Sequence, residues 1–268
     1  MKHFLLPVPP NSDGMIRLYE KDFHYLVRVR RLKAGMCFNA ILPGGMETNV
    51  RILSTKDNIL IGECLERQCP GILNFQVPPI ALFQGLPRGT KMDTIVRQAA
   101  EGGVSLVVPF ESEFSTARIE HHIGGSSGGE KLSRWERIVR EARQQSGSII
   151  ETEIRPPCSF ESLLQYWESL KTQYERSLGI VFHQEPLEKG SFHGYLANKP
   201  DYVALAVGPE GGFSSREITM LLSAGFKPLL LGNTVLRTET AALYGTAALR
   251  IILLESELWT PRSAESFS

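Results

Sequence analysis

The sequence lacks the features of a membrane protein, of a secreted disulfide-bonded protein and of a metal-binding protein. No apolar run approaches the roughly 18 residues that a membrane-spanning helix needs. Pro7, Pro9 and Pro10 break the apolar segment that a signal peptide would require. The four cysteines show no CxxC spacing, which favours reduced structural thiols and no metal site. We therefore predict a cytoplasmic protein with no membrane partner.

The sequence also lacks an excess of charge of either sign. Its 29 basic and 29 acidic residues cancel, whereas a nucleic-acid-binding protein often carries a basic excess. Basic residues are nevertheless concentrated near the N-terminus, in a segment that contains Arg28, Arg30, Arg31 and Lys33. Two interpretations stay open: the solvated face of a small domain, and a patch that binds RNA phosphates.

The length of 268 residues is compatible with two domains. Residues 1–74 contain short apolar segments, and the Pro-Gly-Gly turn at 43–45 lies between two alternating runs. This pattern predicts a hairpin in a small β-rich domain or β-barrel. Prolines cluster at 67–79 and mark the boundary to a second domain over 75–268.

In the second domain, short apolar runs alternate with helical patterns. We predict strands at 80–84, 105–110, 178–183, 202–207 and 228–232, and helices around 92–99 and at 131–145, 159–176 and 240–258. This alternation is typical of an α/β domain with a parallel sheet covered on both faces. The Gly/Ser-rich segment 121–131 predicts a mobile surface loop. The last helix is apolar nearly all round, which indicates burial inside the domain or in a homodimer interface.

Glycine-rich turns follow two of the predicted strands, at 208–212 and at 231–234. Ligands bind beyond the carboxyl ends of strands in open parallel sheets, and glycine lets a ligand approach the backbone closely. Two such turns, at what we expect to be neighbouring strand ends, therefore predict a binding site. Neither turn matches the dinucleotide or P-loop pattern. Glu210, in the first turn, favours a cationic ligand or a ribose over a triphosphate.

These segments resemble those of a known enzyme family. "VGPEGGFSSREI" (207–218) and "LLLGNTVLRTETAAL" (229–243) are similar to the two signature segments of the RsmE family, the ribosomal RNA uracil-N3 methyltransferases of the SPOUT class. "RGTKMDTIVRQAAEGGVSLVVPF" (88–110) and "HYLVRVRRLKAG" (24–35) also resemble that family, so the likeness spans essentially the whole chain.

The resemblance implies the fold, the ligands and the partners. It implies an α/β SPOUT-type parallel sheet whose C-terminal chain forms a trefoil knot, with a small PUA-like N-terminal β-barrel. It implies S-adenosylmethionine as cofactor, a homodimer formed through the knotted domain, and a uridine N3 in 16S ribosomal RNA of the small subunit as the methylated position. The implied cofactor-binding residues are His183, Gly208, Pro209, Glu210, Gly211, Gly212, Leu231, Gly232, Leu236, Thr238, Thr240 and Ala241.

Two residues are candidates for the reaction itself. Uracil N3 must lose its proton to attack a methyl group, and negative charge then develops on the uracil oxygens. Arg237 is the first candidate to stabilise that charge; its alternative role is a salt bridge to Glu210 or Glu239. Glu210 is the second candidate, because a carboxylate is tolerable beside a cationic sulfonium.

Three arginines that the resemblance leads us to expect are absent. His3, Phe114 and Ser148 occupy those positions. Lys2, Arg118 and Arg143 lie close to them in sequence and are candidates to replace the lost charge. The departures affect the expected RNA site and leave the cofactor segments intact. Two alternatives therefore stay open: a non-catalytic RNA-binding or ribosome-assembly factor, and a SPOUT enzyme with another RNA target, such as transfer RNA.

Overall fold

The structure, a computed structural model, describes residues 3–65, 77–116, 126–184 and 190–258. The chain folds into two compact units, one combining Met1–Leu73 with Arg140–Glu151 and the other combining Asn74–Val139 with Thr152–Ser268. The segment at 140–151, which lies within the second domain in our sequence-based division, thus groups with the first unit. The predicted boundary between residues 74 and 75 lies outside the described residues.

The first unit contains a five-stranded sheet in the order β1-β3-β4-β5-β2. The strands are β1 (Phe4–Leu5), β2 (Met15–Leu18), β3 (Cys37–Ile41), β4 (Glu47–Ser54) and β5 (Leu60–Leu65). β1 and β3 are parallel, and the other pairs are antiparallel. Gly44 and Gly45 adopt positive φ between β3 and β4, which confirms the predicted hairpin.

A short helical segment links β2 to β3 in the first unit. It consists of α1 (Glu20–Phe23) and a π-helical turn (His24–Val29). Phe23 and Leu26 bury their side chains in the core of the sheet together with Phe38 and Val50. The buried side chains fix this segment, and the predicted basic residues lie in its second half and just beyond it.

The second unit contains a sheet in the order β12-β10-β11-β6-β7-β8, with β9 also paired to β7. All of these pairs are parallel, which confirms the predicted α/β class. The strands are β6 (Ile80–Gly85), β7 (Leu106–Glu111), β8 (Glu153–Ile154), β9 (Cys158–Ser159), β10 (Ser177–Phe182), β11 (Tyr202–Val207) and β12 (Phe226–Leu229). Every residue of β6 and β11 is buried, as expected for the centre of a parallel sheet.

The described residues from 77 onward contain six helices. They are α2 (Lys91–Glu101), α3 (Ser126–Ser146), α4 (Phe160–Gln173), α5 (Phe192–Leu196), α6 (Ser215–Ser223) and α7 (Thr238–Leu258). The prediction of a loop at 121–131 is wrong from residue 126 onward, because α3 begins there; residues 121–125 lie outside the described residues. None of the described helices is both long and apolar enough to cross a membrane.

Helices cover both faces of the second sheet. Alternate residues of β6, including Phe83, face a core that contains Trp167 of α4, Ile218 of α6 and Phe226. The opposite face of β6 meets α7, which also packs on β11 and α2. The sheet is therefore enclosed between helices, and its carboxyl edge is left for the loops.

Gly245 allows α7 to pack closely on the sheet. A Cβ atom at this position would lie 2.4 Å from ring carbons of Phe182 and 2.6 Å from Cδ2 of Leu205. A contact that short is far inside normal carbon–carbon separation, so only glycine fits without a shift of the helix. The small residue thus faces the chain's own strands.

Replacing Gly245 with alanine is expected to destabilise the protein. In an ordinary helix the change would stabilise by about 0.5–1 kcal/mol, but overpacking here costs about 1–3 kcal/mol. We expect a lower free energy of unfolding in urea, followed by circular dichroism. Gly129→Ala in α3 is the matched control, because a Cβ there meets nothing within 4 Å. A Gly245→Ala variant as stable as Gly129→Ala would contradict the described packing of α7.

Candidate functional site

The glycine-rich turns lie at the carboxyl edge of the second sheet. Residues 208–212 follow β11, and residues 230–237 connect β12 to α7. The sequence led us to expect that β11 and β12 are neighbours. This prediction is wrong, because β10 lies between them. The segment 230–237 instead leads from the edge strand back to the centre of the sheet, where α7 begins. This path brings the two signature segments together.

A chain of hydrogen bonds joins three segments at that point. Gln84 is fully buried at the end of β6, and its Nε2 donates to Oγ1 of Thr238 at 2.9 Å and to the Gly85 carbonyl at 2.9 Å. Oγ1 of Thr238 in turn donates to the Gly208 carbonyl at 2.6 Å. The first turn of α7, the glycine turn after β11 and the end of β6 are therefore held together by one hydroxyl group.

The glycines of the first turn are required by close backbone contacts. Gly212 has a φ of +71°, a conformation that other residues rarely adopt, and its N–H donates to the Pro209 carbonyl at 2.9 Å. A Cβ on Gly208 would lie 3.0 Å from the carbonyl carbon of Gly212. A Cβ on Gly85 would lie 2.5 Å from Cδ of Pro209. The turn is therefore a compact, bare backbone surface packed on the end of β6.

Lys91 forms ion pairs with the two carboxylates near the turn. Its Nζ lies 2.7 Å from Oε1 of Glu210 and 3.6 Å from Oε2 of Glu239. The Glu210 carboxylate also accepts from the Arg88 N–H at 3.2 Å. Burial raises the pKa of Glu210, but the hydrogen bonds from Lys91 and the Arg88 backbone outweigh it and leave that pKa below its ordinary value. The hydrogen bond to Glu210 raises the pKa of Lys91.

Arg237 has no such partner. It is exposed just before α7, and within the described chain its side chain makes no ion pair or hydrogen bond. The salt bridge from Arg237 to Glu210 or Glu239, its alternative role, is therefore not the arrangement found. The guanidinium is left for a ligand or for solvent.

The loop after β7 is anchored to the glycine turn by Glu217. This glutamate is buried in the first turn of α6, where Ser214 and Glu217 form a capping box. Its carboxylate also accepts from Oγ of Ser112 at 3.0 Å and from the Glu113 N–H at 2.9 Å. One buried carboxylate thus fixes residues 112–116 against the end of the turn.

The remaining residues of the implied cofactor site lie on the same edge of the sheet. His183 follows β10, and its N–H donates to the Leu229 carbonyl at 3.2 Å. Gly232 is exposed with a φ of +141°, Leu231 and Leu236 are half-buried, and Ala241 is buried in α7. Thr240 is half-buried one position before Ala241.

Sequence reasoning missed several residues that organise the site. Gln84 is the last residue of the predicted strand at 80–84. Lys91 lies in the segment 88–110, which resembles the family but contains no predicted site residue. A polar residue closing an apolar run and a lysine opening a helix were the available signals. Neither signal reveals its partner, because Thr238 is 154 and Glu210 is 119 residues away.

The residues predicted to bind RNA lie in the first unit. Arg28, Arg31 and Lys33 are exposed, whereas Arg30 is half-buried and its Nη1 has no hydrogen-bond partner among the described atoms. Arg31 has a φ of +57°, which turns the chain after the π-helical segment.

Two of the three missing arginines correspond to adjacent positions in the first unit. A Cβ on Gly147 would lie 2.7 Å from Nδ1 of His3, so the His3 side chain packs on Gly147. Ser148 is the next residue in the sequence. Arg143 lies one helical turn before Gly147, whose N–H donates to its carbonyl at 2.8 Å. Burial lowers the pKa of Arg143, more than the charge of Glu151 raises it. Lys2 and Arg118, the other replacement candidates, lie outside the described residues.

Known proteins are similar to this chain in sequence and in fold. The family described as RNA methyltransferase domain matches residues 75–250. The chain is 38% identical over 177 residues to ribosomal RNA small subunit methyltransferase E of Aquifex aeolicus, covering 64% of this chain and 69% of that protein. It is 27% identical over 254 residues to the Synechocystis protein of the same name, covering 93% and 78%.

A solved structure agrees in fold. Ribosomal RNA small subunit methyltransferase E from Neisseria gonorrhoeae, bound to S-adenosylmethionine, has a TM-score of 0.76 at 24% identity, covering 94% of this chain and 98% of that chain. The family match spans more than half of the chain and includes both glycine turns. The chain therefore belongs to the RNA methyltransferase domain family and, within it, to the ribosomal RNA small subunit methyltransferase E (RsmE) family.

Proposed function

We propose that this protein is an S-adenosylmethionine-dependent methyltransferase that acts on N3 of a uridine in 16S ribosomal RNA of the small subunit. The observation that carries the proposal is the junction of Gln84, Thr238 and Gly208. It joins both family signature segments at the carboxyl edge of a parallel sheet. Its relatives are named ribosomal RNA small subunit methyltransferase E, and the one from Neisseria gonorrhoeae was solved bound to S-adenosylmethionine. The cytoplasmic location stays a prediction.

The residues present suit S-adenosylmethionine. A Cβ on Gly212 would meet nothing within 4 Å, so its backbone is open to close approach by a ligand, and no phosphate-binding pattern competes for the site. The residues that would hold the cofactor are 208–212, Leu231, Gly232, Leu236, Thr238, Thr240 and Ala241, with His183 at the neighbouring strand end. When bound, the cofactor supplies an electrophilic methyl group. Because Glu210 pairs with Lys91, we assign to Glu210 the role of holding the turn in place. Contact with the sulfonium is the lesser part of its role.

Arg237 would act on the uracil. For N3 to bond to the methyl carbon, its proton would pass to solvent and the bond between that carbon and sulfur would break, and negative charge would spread onto the uracil oxygens as the proton leaves. An exposed guanidinium with no partner among the described residues is suited to stabilise that charge. The target base must first be unstacked from the RNA.

The wider architecture that the resemblance implies is part of the proposal. The return of residues 230–237 from the edge strand to the centre of the sheet supports a trefoil knot in the C-terminal chain. The sheet of five short strands, mostly antiparallel, supports a PUA-like barrel in the first unit. Arg28, Arg31 and Lys33 on that unit would contact RNA phosphates, with Arg30 half-buried behind them.

Methyl transfer tests the function directly. We expect label from radiolabelled S-adenosylmethionine to appear at a uridine N3 in small ribosomal subunits that lack the modification. Free ribosomal RNA and transfer RNA serve as parallel substrates. Label in transfer RNA alone would establish a different target, and cofactor binding without any transfer would favour a non-catalytic assembly factor.

Arg237→Ala is expected to reduce turnover by about 100-fold or more, as removal of a charge-stabilising donor does in other enzymes. The dissociation constant of S-adenosylmethionine, measured by calorimetry, should change by less than threefold. Lys227→Ala, at an exposed position on β12, is the control for loss of a surface charge. Equal losses of turnover and cofactor binding would instead give Arg237 a structural role.

Lys91→Met tests whether the ion pair holds the glycine turn. A pair that is about a third exposed contributes about 0.2–1 kcal/mol, so we expect S-adenosylhomocysteine to bind up to fivefold more weakly. S-adenosylmethionine should lose less affinity, because the two freed carboxylates attract its sulfonium charge. Lys91→Arg keeps the charge and serves as control. Unchanged binding of S-adenosylhomocysteine would show that the ion pair does not position the turn.

We propose that the protein forms a homodimer through α7. Leu243, Tyr244 and Ile251 are 38%, 59% and 55% exposed, and with exposed Ala247 they form one apolar helix face. An apolar face of this kind on a buried helix favours a second copy of the chain as partner.

Leu243→Asp is expected to shift the protein from dimer to monomer in analytical ultracentrifugation, because it places a charge within an apolar interface. Leu222→Asp on α6 is the matched control, since Leu222 is 37% exposed outside this face. A wild-type protein that sediments as a monomer, or equal behaviour of both variants, would contradict the dimer.

A further inference from the structure

The loop after β7 presents an aromatic ring beside the glycine turn. Phe114 is 49% exposed, although phenylalanine is usually buried. A Cβ on Gly211 would lie 2.8 Å from Cβ of Phe114 and 3.4 Å from its carbonyl oxygen. The missing side chain at Gly211 therefore allows Phe114 to stand directly on the turn that we assign to the cofactor.

The position of this ring is fixed by the loop that carries it. The residues on either side of Phe114 are anchored: the Glu113 N–H donates to the buried Glu217 carboxylate, and Oγ of Ser115 donates to the Leu86 carbonyl at 3.3 Å. Ser115 also accepts from the Ser112 N–H at 3.1 Å. An exposed ring on an anchored loop loses little conformational freedom when a ligand covers it.

A basic group from the segment after β6 lies against the same loop. Nε of Arg88 donates to Oγ1 of Thr116 at 2.8 Å, two residues beyond Phe114, and both side chains are exposed. The rim of the site thus combines a flat apolar surface with a guanidinium. Single-stranded RNA is bound by this combination, in which a base stacks on a ring while a cation meets the backbone.

We propose that Phe114 is an RNA-binding residue whose ring stacks on an unpaired base of the RNA beside the methyl-transfer site. The proposal rests on the proposed function of this site. A ring recognises the face of a base, whereas an arginine at the same position would recognise phosphate charge. The loss of arginine here therefore changes the means of RNA recognition from charge to stacking.

Phe114→Leu keeps an apolar side chain on Gly211 but removes the aromatic face. We expect the KM for small ribosomal subunits to rise about 5- to 100-fold, the effect of losing one base–aromatic stack. The dissociation constant of S-adenosylmethionine and the melting temperature should stay unchanged. Phe114→Trp keeps an aromatic face and should therefore keep the wild-type KM. Leu222→Ala, at an exposed apolar position on α6, is the surface control.

Phe114→Arg separates stacking from charge. This variant should bind RNA with a steeper dependence on salt concentration than wild type, because one more phosphate contact releases one more counterion. Equal RNA affinity for wild type and Phe114→Leu would overturn the proposal. A loss of cofactor binding in Phe114→Leu would also overturn it, by showing that the ring only covers the turn.

The measurement also separates this proposal from the proposed function. Filter binding to small ribosomal subunits requires no methyl transfer, so the effect of Phe114→Leu on RNA affinity is measurable in an inactive protein. Absence of methyl transfer by wild type with a normal Phe114 effect would contradict only the enzymatic activity.

Discussion

The hydroxyl group of Thr238 is the interaction on which the site depends. It donates to the glycine turn after β11 and accepts from Gln84 at the end of β6, and so it ties together segments that the sheet order alone would leave apart. Because Gln84 and Thr238 are both buried, water cannot replace either bond without a cavity. The same hydroxyl fixes where α7 begins, and Gly245 then lets that helix lie close against the sheet. Turn, strand and helix are therefore positioned by one small polar group.

Charge at the site is divided between groups that support structure and groups that are left for ligands. Lys91 donates a hydrogen bond to Glu210 and forms a longer ion pair with Glu239, and Glu217 is satisfied by neighbouring donors. Arg237, by contrast, has no partner within the part of the chain that the structure describes. A carboxylate beside the proposed cofactor site is thus held in place by a lysine. The difference explains why the family resemblance marks both Glu210 and Arg237, although their surroundings give them different roles.

Local sequence patterns predicted most of the fold. The strand at 202–207 was correct because periodicity depends on near neighbours. The helix at 126–131 was missed because its serines and glycines have low helix propensity, although these residues form the first turns of a helix that continues to Ser146. The order of strands, with β10 between β11 and β12, is a property of the whole sheet. For the same reason, the partners of Gln84 and Lys91 could not be read from the chain.

The separation of the residues that build the site has a consequence for biosynthesis. Gln84 and Thr238 are 154 residues apart, so their hydrogen bond closes a loop longer than half of the chain. Contacts of such high sequence separation form late, because the entropy of loop closure must be met before they contribute. During translation the first unit's β-strands emerge complete, while the proposed cofactor site is completed only by the residues of α7. A chain truncated before residue 238 would keep every described strand of the sheet but would lack the hydroxyl group that joins the glycine turn to β6.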